Sequence, residues 1–418
     1  MKYIISIIFS LSIYQFSLGD PNAYDPNNLK TLNDYLDFAS LNNPELKASF
    51  EEWRAALEEI PQAKALPDPQ FTYGNYVRQS DMQMNQMIGI MQTFPWLGKI
   101  EAKTDVASAL AKAARHRFEY SRLKLFEQVK KEFHEFYFLK ENIDIAEQNL
   151  DLVKHFEQVA LSKYTTATGA HPDVIRAQIE LAKYDEILVR IKELKTPQVS
   201  RLNAILNRAP DAPLDWPDKP DFSETKIDSE QLMRLLIERN PQLSELSWMI
   251  EAARKDFILA QKRSYPDLSV GVEWTGFDRS GDNSGRDSVL LLFQMNIPLW
   301  SGSYKAGERE ARANIRKATY QKINEEKRLV AELAGVLYNI EESRRQISLY
   351  RDILIPKAQQ LIQASETAYK AGTIDFLSLI DSQRMLLEYT LNYQRVITDH
   401  QQKFAEMEKL VAVDLEAK

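Results

Sequence analysis

The chain has 418 residues and a formal net charge of −7 at pH 7, with acidic and basic residues interspersed along its length. This distribution excludes the concentrated positive charge on which nucleic-acid binding depends. The absence of cysteine excludes disulfides, thiolate metal sites and cysteine nucleophiles. Only 13 glycines occur, and long stretches rich in Ala, Glu, Lys, Leu and Arg predict a mainly helical protein.

The beginning of the chain has the features of an export signal. Lys2 precedes the apolar run 4–16, and small residues follow up to Gly19. We therefore predict a signal peptide over residues 1–19, cleaved after Gly19, with an uncleaved membrane anchor as the alternative. No later segment reaches the roughly 18 uninterrupted apolar residues that a membrane-spanning helix needs.

The rest of the sequence contains an internal duplication. Four landmarks recur in the same order, each about 200 positions after its first occurrence, as expected for a repeated structural unit. They are the Asn-Pro-x-Leu motifs at 43–46 and 240–243, the Pro-Asp pairs ending at Asp68 and Asp267, the prolines Pro95 and Pro298, and the glycines Gly169 and Gly372. We divide the chain into a first repeat over 20–209, a proline-rich linker over 210–224 and a second repeat over 225–418.

The hydrophobic period changes from that of a helix to that of a strand after each Pro-Asp pair. We predict strands at about 69–79 and 86–96 in the first repeat, and at about 267–277 and 287–299 in the second. Their length, single apolar face and flanking aromatic residues are typical of transmembrane β-strands. Because a strand edge cannot stay unpaired in lipid and four strands make too narrow a barrel, several copies of the chain must share one sheet. The alternative is a pair of soluble β-hairpins packed against helices.

Each second strand is followed by a predicted helical hairpin, at about 98–208 in the first repeat and about 303–414 in the second. The first arm of each hairpin would be on the order of 100 Å long, so it must pack along neighbouring helices as a coiled coil. Both arms end near a glycine, Gly169 or Gly372. For these two glycines we predict the left-handed conformation that ends many helices.

Three segments resemble the TolC family of outer-membrane efflux proteins. Segment 371–384, which reads AGTIDFLSLIDSQR, is similar to the turn of the family's inner helical hairpin, and segment 202–211 also fits the family. Segment 92–99, QTFPWLGK, is similar to the heavy-metal, CzcC-like branch. The resemblance covers nearly all of the chain after the signal segment. It implies the outer-membrane channel of a tripartite efflux system, a passive duct opened by a periplasmic adaptor and an inner-membrane pump.

The resemblance also implies an assembly and its location. Family members are homotrimers in the outer membrane of Gram-negative bacteria, with their helical part in the periplasm. Four strands from each copy would form one twelve-stranded transmembrane β-barrel in outer-membrane lipid, and the long antiparallel helices would form a periplasmic α-barrel. The implied partners are a periplasmic adaptor protein and an inner-membrane pump of the resistance-nodulation-division type. No cofactor and no nucleic acid are implied.

Functional positions follow from the same resemblance. By its position after Gly372, Asp381 matches an inward-facing aspartate of the family's periplasmic constriction, and Ser378 stands where some members have a second aspartate. Adaptor contacts in the family lie at the hairpin turns, which here contain Gly169, Gly372 and Thr373. Three like charges at a narrow pore mouth would attract cations and resist simultaneous ionisation. The alternative for Asp381 is an ordinary solvated helix residue.

Other patterns in the sequence do not indicate an active site. The histidines lack the spacing of metal ligands, and neither a phosphate-binding glycine loop nor a nucleophile elbow occurs. Four clustered methionines are interpreted as packing or loop residues rather than a soft-metal site: Met82, Met84, Met87 and Met91. We therefore predict no enzymatic activity and no metal site. The functional alternatives are a type I protein secretion duct and an exported coiled-coil scaffold.

Overall fold

The computed structural model describes residues 29–77, 84–220, 228–277 and 286–413. The predicted signal peptide lies outside these residues, as do most of the two loops between paired strands and the end of the predicted linker. The described residues form ten α-helices and four β-strands. The helices are α1 Leu32–Asn42, α2 Pro44–Lys64, α3 Lys99–Thr165, α4 His171–Glu193, α5 Lys195–Ile205, α6 Ser229–Arg239, α7 Pro241–Lys262, α8 Ser301–Leu349, α9 Ile355–Ala371 and α10 Phe376–Val411. The strands are β1 Gln70–Asn75, β2 Met84–Phe94, β3 Leu268–Phe277 and β4 Ser288–Met295.

The predicted mainly helical class with one small sheet is confirmed. Helix α3 extends over 67 residues without a glycine or proline, so the two residue types that most disfavour a helix do not interrupt it. Helix α8 extends over 49 residues and contains no proline. Among the described residues, no helix combines the length and the hydropathy needed to cross a membrane.

The second long helical stretch contains one irregular turn. Between α8 and α9, Tyr350–Leu354 form a π-helical turn in which the N–H of Ile355 donates to the carbonyl of Tyr350. Pro356 follows immediately, and its ring lacks the N–H that would continue the α-helical pattern and clashes with the carbonyl four residues earlier. The wider π-helical turn accommodates this proline while the backbone stays helical on both sides.

Both copies of the Asn-Pro-x-Leu motif interrupt a helix in the same way. Asn43 follows α1 and Asn240 follows α6, both with extended backbone at ψ 124°. A proline then begins the next helix, where its missing N–H has no partner to lose. Asn43 Nδ2 donates to the carbonyl of Ile205 at 2.8 Å, and Asn240 Nδ2 donates to that of Leu410 at 2.9 Å. The duplication seen in the sequence therefore extends to tertiary contacts.

The first of two compact units contains the ends of both helical hairpins. It consists of the described residues of Met1–Asn43, Leu125–Glu224 and Tyr338–Ala405. Its apolar core near the hairpin turns combines residues from α3, α4, α9 and α10. They are Phe156, Ala160, Val174, Ala177, Ile362, Tyr369, Phe376, Leu379 and Ile380. The four helices pack together here because each contributes buried apolar residues at helical spacing.

The second unit contains the sheet and consists of the described residues of Pro44–Lys124, Thr225–Leu337 and Glu406–Lys418. The strand order is β1-β2-β3-β4, and every neighbouring pair is antiparallel. One row across the sheet joins Phe71, Ile90, Val272 and Leu291. The hairpin β1-β2 belongs to the first repeat and the hairpin β3-β4 to the second, so the β2-β3 pairing joins the two repeats.

Candidate functional site

The turn after α9 contains two of the predicted site residues, Gly372 and Thr373. Gly372 has φ 78°, and its N–H donates to the carbonyl of Tyr369 at 3.0 Å. The N–H of Thr373 donates to the carbonyl of Ala368 at 2.9 Å, and its hydroxyl donates to the same oxygen at 3.0 Å. This pattern is a Schellman motif, which requires a left-handed residue and therefore favours glycine. The structure thus assigns Gly372 the left-handed conformation predicted for it.

The turn after α3 is built differently, and the left-handed conformation predicted for Gly169 is wrong. Here the residue with positive φ is Ala167, at φ 56°. Gly169 instead donates its N–H to the carbonyl of Lys163 at 2.9 Å. A Cβ at position 169 would lie 2.7 Å from Lys163 Cβ and 3.1 Å from the Lys163 carbonyl carbon. Glycine is needed here because the backbone passes directly over the end of α3.

Lys163 connects the two turns. Its carbonyl accepts the N–H groups of Thr168 and Gly169, both at 2.9 Å. Its Nζ donates to the carbonyl of Tyr369 and lies 4.5 Å from the centre of the Tyr369 ring. A cation at the last carbonyls of a helix is favoured by the helix dipole, and its position over an aromatic face adds a cation–π interaction. No sequence motif identified Lys163 as a site residue. Its position in the last turn of the predicted helix before Gly169 was the one signal in the sequence.

Tyr369 joins the two hairpins through its side chain as well. The residue is buried, its ring packs edge-on against Phe376 at 5.5 Å between centroids, and its hydroxyl donates to Asp173 Oδ2 at 3.2 Å. Burial raises the pKa of Tyr369 to about 12, with a smaller contribution from the charge of Asp173. Asp173 lies in the first turn of α4, where a carboxylate is favoured by the helix dipole.

Ser378 lies in the first turn of α10, beside the carboxylate of Asp375, which was not among the predicted site residues. Its N–H donates to Asp375 Oδ1 at 3.0 Å and its hydroxyl donates to the same oxygen at 2.6 Å. Asp375 therefore caps the N-terminus of α10. The hydrogen bond from the Ser378 hydroxyl, followed by the one from its N–H, lowers the pKa of Asp375. An exposed carboxylate, that of Asp375, thus lies directly beside Ser378, one of the two predicted constriction residues.

Asp381 is exposed on α10, one turn beyond Ser378. Residues three apart on a helix share a face, so the two predicted constriction residues lie on one side of α10. Asp381 Oδ1 lies 3.3 Å from an Nη of Arg384. The other Nη of Arg384 donates to Glu180, a largely buried carboxylate on α4. This hydrogen bond raises the pKa of Arg384. Arg384 therefore connects the predicted constriction residue to the first hairpin.

One face of the sheet is apolar and exposed. Residues opposite each other on neighbouring strands share a face, and on this face lie Phe71, Tyr73, Ile88, Ile90, Val272, Leu291 and Phe293. Phe71 and Phe293, on the two edge strands, are 70% and 69% exposed. A contiguous exposed apolar surface of this kind marks contact with lipid or with another protein.

The opposite face of the sheet is more polar and has smaller side chains. Thr93 and Ser269 face each other with their hydroxyls 2.8 Å apart, and Glu273 is the one charged residue of the four strands as described. Met87 and Met91 also lie on this face, and Met84 begins β2. Met87 and Met91 lie in the strand predicted over about 86–96. Met84 belongs to β2 and not to the predicted loop, and Met82 lies outside the described residues. Among the described residues, no group of three His, Asp or Glu side chains could hold a metal ion.

The sheet is anchored to the helices at one end. Asp267 Oδ1 accepts the N–H of Trp96 and the Nζ of Lys99, both at 2.8 Å. The rings of Trp96 and Tyr265 stack at 5.7 Å between centroids. Trp300, at the end that follows β4, is 78% exposed. Exposed aromatic residues at the end of an apolar sheet are typical of a membrane–water interface.

Comparison with known proteins identifies a family that covers most of the chain. The profile of the family described as "Outer membrane efflux protein" matches residues 36–208 and 232–413, one match for each repeat. The cobalt-zinc-cadmium resistance protein CzcC of Cupriavidus metallidurans is 20% identical over 387 residues, covering 88% of this chain and 86% of CzcC. The outer membrane protein TolC of Salmonella enteritidis is 21% identical over 429 residues, covering 93% of this chain and 82% of TolC.

The fold is shared with solved structures. The outer membrane protein VceC of Vibrio cholerae superposes with a TM-score of 0.76 at 18% identity, covering 91% of this chain and 95% of VceC. At this level of identity the likeness establishes the fold alone. The duplicated arrangement of helices and strands predicted from the sequence is thus confirmed. The assignments of Asp381, Ser378, Gly169, Gly372 and Thr373 to a constriction and to adaptor contacts stay predictions.

Proposed function

This chain belongs to the outer membrane efflux protein family and acts as the outer-membrane channel of an efflux system, and we propose that it does so as a homotrimer. Four strands from each copy would close a twelve-stranded barrel in the outer membrane. The helical hairpins would form the periplasmic part of the duct. The proposal assigns the chain no chemical step, since a duct only has to provide a path.

The observation that carries this proposal is the exposed apolar face of the sheet together with its two unpaired edges. Strands β1 and β4 each have one neighbour in the chain, so each leaves one row of backbone N–H and C=O groups without a strand partner in the described sheet. In hydrocarbon such groups are costly unless a further strand pairs with them. Sister copies supply that pairing, and the apolar face then contacts lipid tails.

We also propose that the hairpin turns are where a periplasmic adaptor contacts the channel, and that Asp381 lines its narrow end. Gly169, Gly372 and Thr373 lie in exposed turns, and Asp381 is exposed on α10. Contact with the adaptor would act on Lys163, Tyr369 and their partners, because these residues connect the two turns. The pump partner would be an inner-membrane transporter of the resistance-nodulation-division type.

Assembly and location are tested together. Membranes are fractionated, and the detergent-extracted protein is run on a gel with and without heating. We expect it in the outer-membrane fraction as a trimer that dissociates on heating. Recovery as a soluble monomer would contradict the channel proposal and favour an exported coiled-coil scaffold.

Deleting the gene tests the cargo. Loss of tolerance to divalent metal ions would place the channel with relatives such as CzcC, whose name refers to cobalt, zinc and cadmium. Loss of tolerance to dyes and detergents would indicate a broader efflux system. Loss of a secreted polypeptide with unchanged tolerance would instead indicate a type I secretion duct.

A further inference from the structure

The geometry points to a defined strand register between copies of this chain: β4 of one copy pairs antiparallel with β1 of the next, with Met295 opposite Phe71 and Phe293 opposite Tyr73. This inference rests on the proposed homotrimer and adds to it the pairing of residues at the interface. It follows from the internal duplication, because the chain already contains one example of the same interface.

The two repeats match residue by residue through the sheet. Counting from the matched pair Asp68 and Asp267, Phe71 corresponds to Val270. Counting from the matched pair Pro95 and Pro298, Ile90 corresponds to Phe293. The register of the two hairpins tests this correspondence independently. Phe71 faces Ile90 in the first hairpin, and their counterparts Val270 and Phe293 face each other in the second.

The β2-β3 interface joins the first repeat to the second. By the duplication, β2 corresponds to β4 and β3 corresponds to β1. In this interface Gln92 faces Val270 and Ile90 faces Val272. Substituting, for each residue of these pairs, the corresponding residue of the other repeat gives the residue pairs between β4 of one copy and β1 of the next. Gln92 and Val270 become Met295 and Phe71, while Ile90 and Val272 become Phe293 and Tyr73.

The register taken from the β2-β3 interface places residues of the apolar face of β4 opposite residues of the apolar face of β1. Met295, Phe293, Phe71 and Tyr73 all lie on the exposed apolar face, with exposures of 54%, 69%, 70% and 57%. A shift of one residue would bring residues of the apolar face opposite residues of the more polar face. The proposed register therefore extends one apolar surface across the boundary between copies, as a lipid-facing barrel requires.

A second, independent observation comes from the aspartates of the two Pro-Asp pairs, Asp68 and Asp267. Asp267 binds the backbone of Trp96 and the side chain of Lys99, across the interface between repeats. Its counterpart Asp68 is exposed and makes no ion pair within the described part of the chain. Asp68 is thus positioned for a contact that the single chain does not contain.

The absence of cysteine makes the register directly testable by cross-linking. The double variant Phe71→Cys with Met295→Cys places two thiols opposite each other across the proposed boundary. Directly paired Cα atoms lie about 4.5–5.5 Å apart, within the range that a disulfide spans. We expect oxidation of intact membranes with copper–phenanthroline to convert the heated monomer band into covalent dimers and trimers, which reducing agent reverses.

Two controls match this variant. Gln92→Cys with Val270→Cys is its counterpart inside one chain, and should form an intrachain disulfide that protects both thiols from alkylation. Phe71→Cys with Leu291→Cys keeps both thiols on the apolar face but moves one by four residues, about 13 Å along the strand. This shifted pair should stay monomeric after heating.

The possible results separate the register from the assembly. Cross-linking of the shifted pair in place of the proposed pair would overturn the register. Cross-linking of either single-cysteine variant would also overturn it, because it would show that β1 pairs with β1, or β4 with β4, of another copy. If the intrachain control forms its disulfide but neither pair between copies does, and the unmodified protein is still a heat-sensitive trimer, the register is wrong and the channel proposal stands. If the protein is a soluble monomer, both proposals fail.

Discussion

The side chain of Lys163, at the end of the first long helix, binds the backbone carbonyl of Tyr369 near the end of α9, and its Nζ lies 4.5 Å from the centre of the Tyr369 ring. Through its own carbonyl, the same residue holds the turn that contains Thr168 and Gly169. The two hairpin turns, to which we assign adaptor contacts, are therefore mechanically connected within one copy. A partner that displaces one turn acts on the other through this lysine.

Replacing Lys163 with methionine should loosen the turn after α9. The change removes the cation from the last carbonyls of the helix and from the ring of Tyr369, which together contribute about 1–2 kcal/mol. Hydrogen exchange of the detergent-solubilised trimer should become about tenfold faster at the amides of Gly372 and Thr373. Lys370→Met is the control, since Lys370 pairs with Glu366 on its own helix. Equal acceleration in both variants would contradict the role of Lys163.

The two turn glycines should respond differently to asparagine. Gly372→Ala should cost about 1–2 kcal/mol because alanine disfavours the left-handed conformation, whereas Gly372→Asn should cost less, since asparagine enters it readily. At Gly169 both substitutions should destabilise to a similar extent, by about 1–3 kcal/mol, because any Cβ meets the backbone of Lys163. Hydrogen exchange at each turn measures the difference. Equal rescue by asparagine at both positions would show that the two turns need glycine for the same reason.

His134 should make the first unit sensitive to acid. The residue is 3% exposed and its Nε2 has no hydrogen-bond partner in the described structure. Burial, with a smaller effect of the charge on Lys130, lowers the pKa of His134 to about 3 from an ordinary value of 6.5. Between these values the unfolded chain binds a proton that the folded chain does not. Stability is therefore complete above about pH 6.5 and falls with decreasing pH, by at most about 1.4 kcal/mol per unit.

The variant His134→Phe tests this pH dependence, because it fills the site without a titrating group. Thermal unfolding of the purified protein, followed by circular dichroism at about pH 7 and at about pH 4, should show a smaller acid loss for the variant than for the unmodified chain. His155→Gln serves as the control, since His155 is exposed and contacts Glu366. An acid loss that is unchanged in His134→Phe would show that other groups control it.

Removing the charge of Asp381 should change ion flow through the narrow end of the duct. If three copies of Asp381 line the narrow end, Asp381→Asn should raise single-channel conductance in planar bilayers and weaken block by multivalent cations. The substitution is nearly isosteric and the residue is exposed, so the fold should not change. An unchanged conductance trace would mean that Asp381 is an ordinary solvated residue of α10.

Asp375 should contribute to the same electrostatic field, because its carboxylate lies 2.6 Å from the Ser378 hydroxyl. Asparagine caps helices as well as aspartate does, so Asp375→Asn should remove the charge while keeping the N-terminus of α10 intact. The double variant with Asp381→Asn should show weaker cation block than either single variant. Block that is no weaker than in Asp381→Asn alone would exclude Asp375 from the constriction.

The sequence predicted the features that repeat along the chain. A long stretch without glycine or proline predicts α3, and an alternating period with a flanking Pro-Asp predicts each strand, because these signals depend only on neighbouring residues. Contacts between segments that are distant in sequence produced no local pattern from which they could be predicted. Lys163 with Tyr369, Asp173 with Tyr369, and Arg384 with Glu180 each join residues about 200 positions apart. Their pairing depends on which helix faces end up opposite each other.

The turn after α3 also shows one feature that the local sequence predicts and one that only packing decides. Its composition predicts a helix end, and the glycine at 169 suggested the residue in the left-handed conformation. The folded chain puts that conformation on Ala167 and brings Gly169 against the backbone of Lys163 instead. Local composition thus determined that the helix stops here, because propensity acts residue by residue. The route of the next few residues was decided only by packing, because it must place α4 against three other helices in one core.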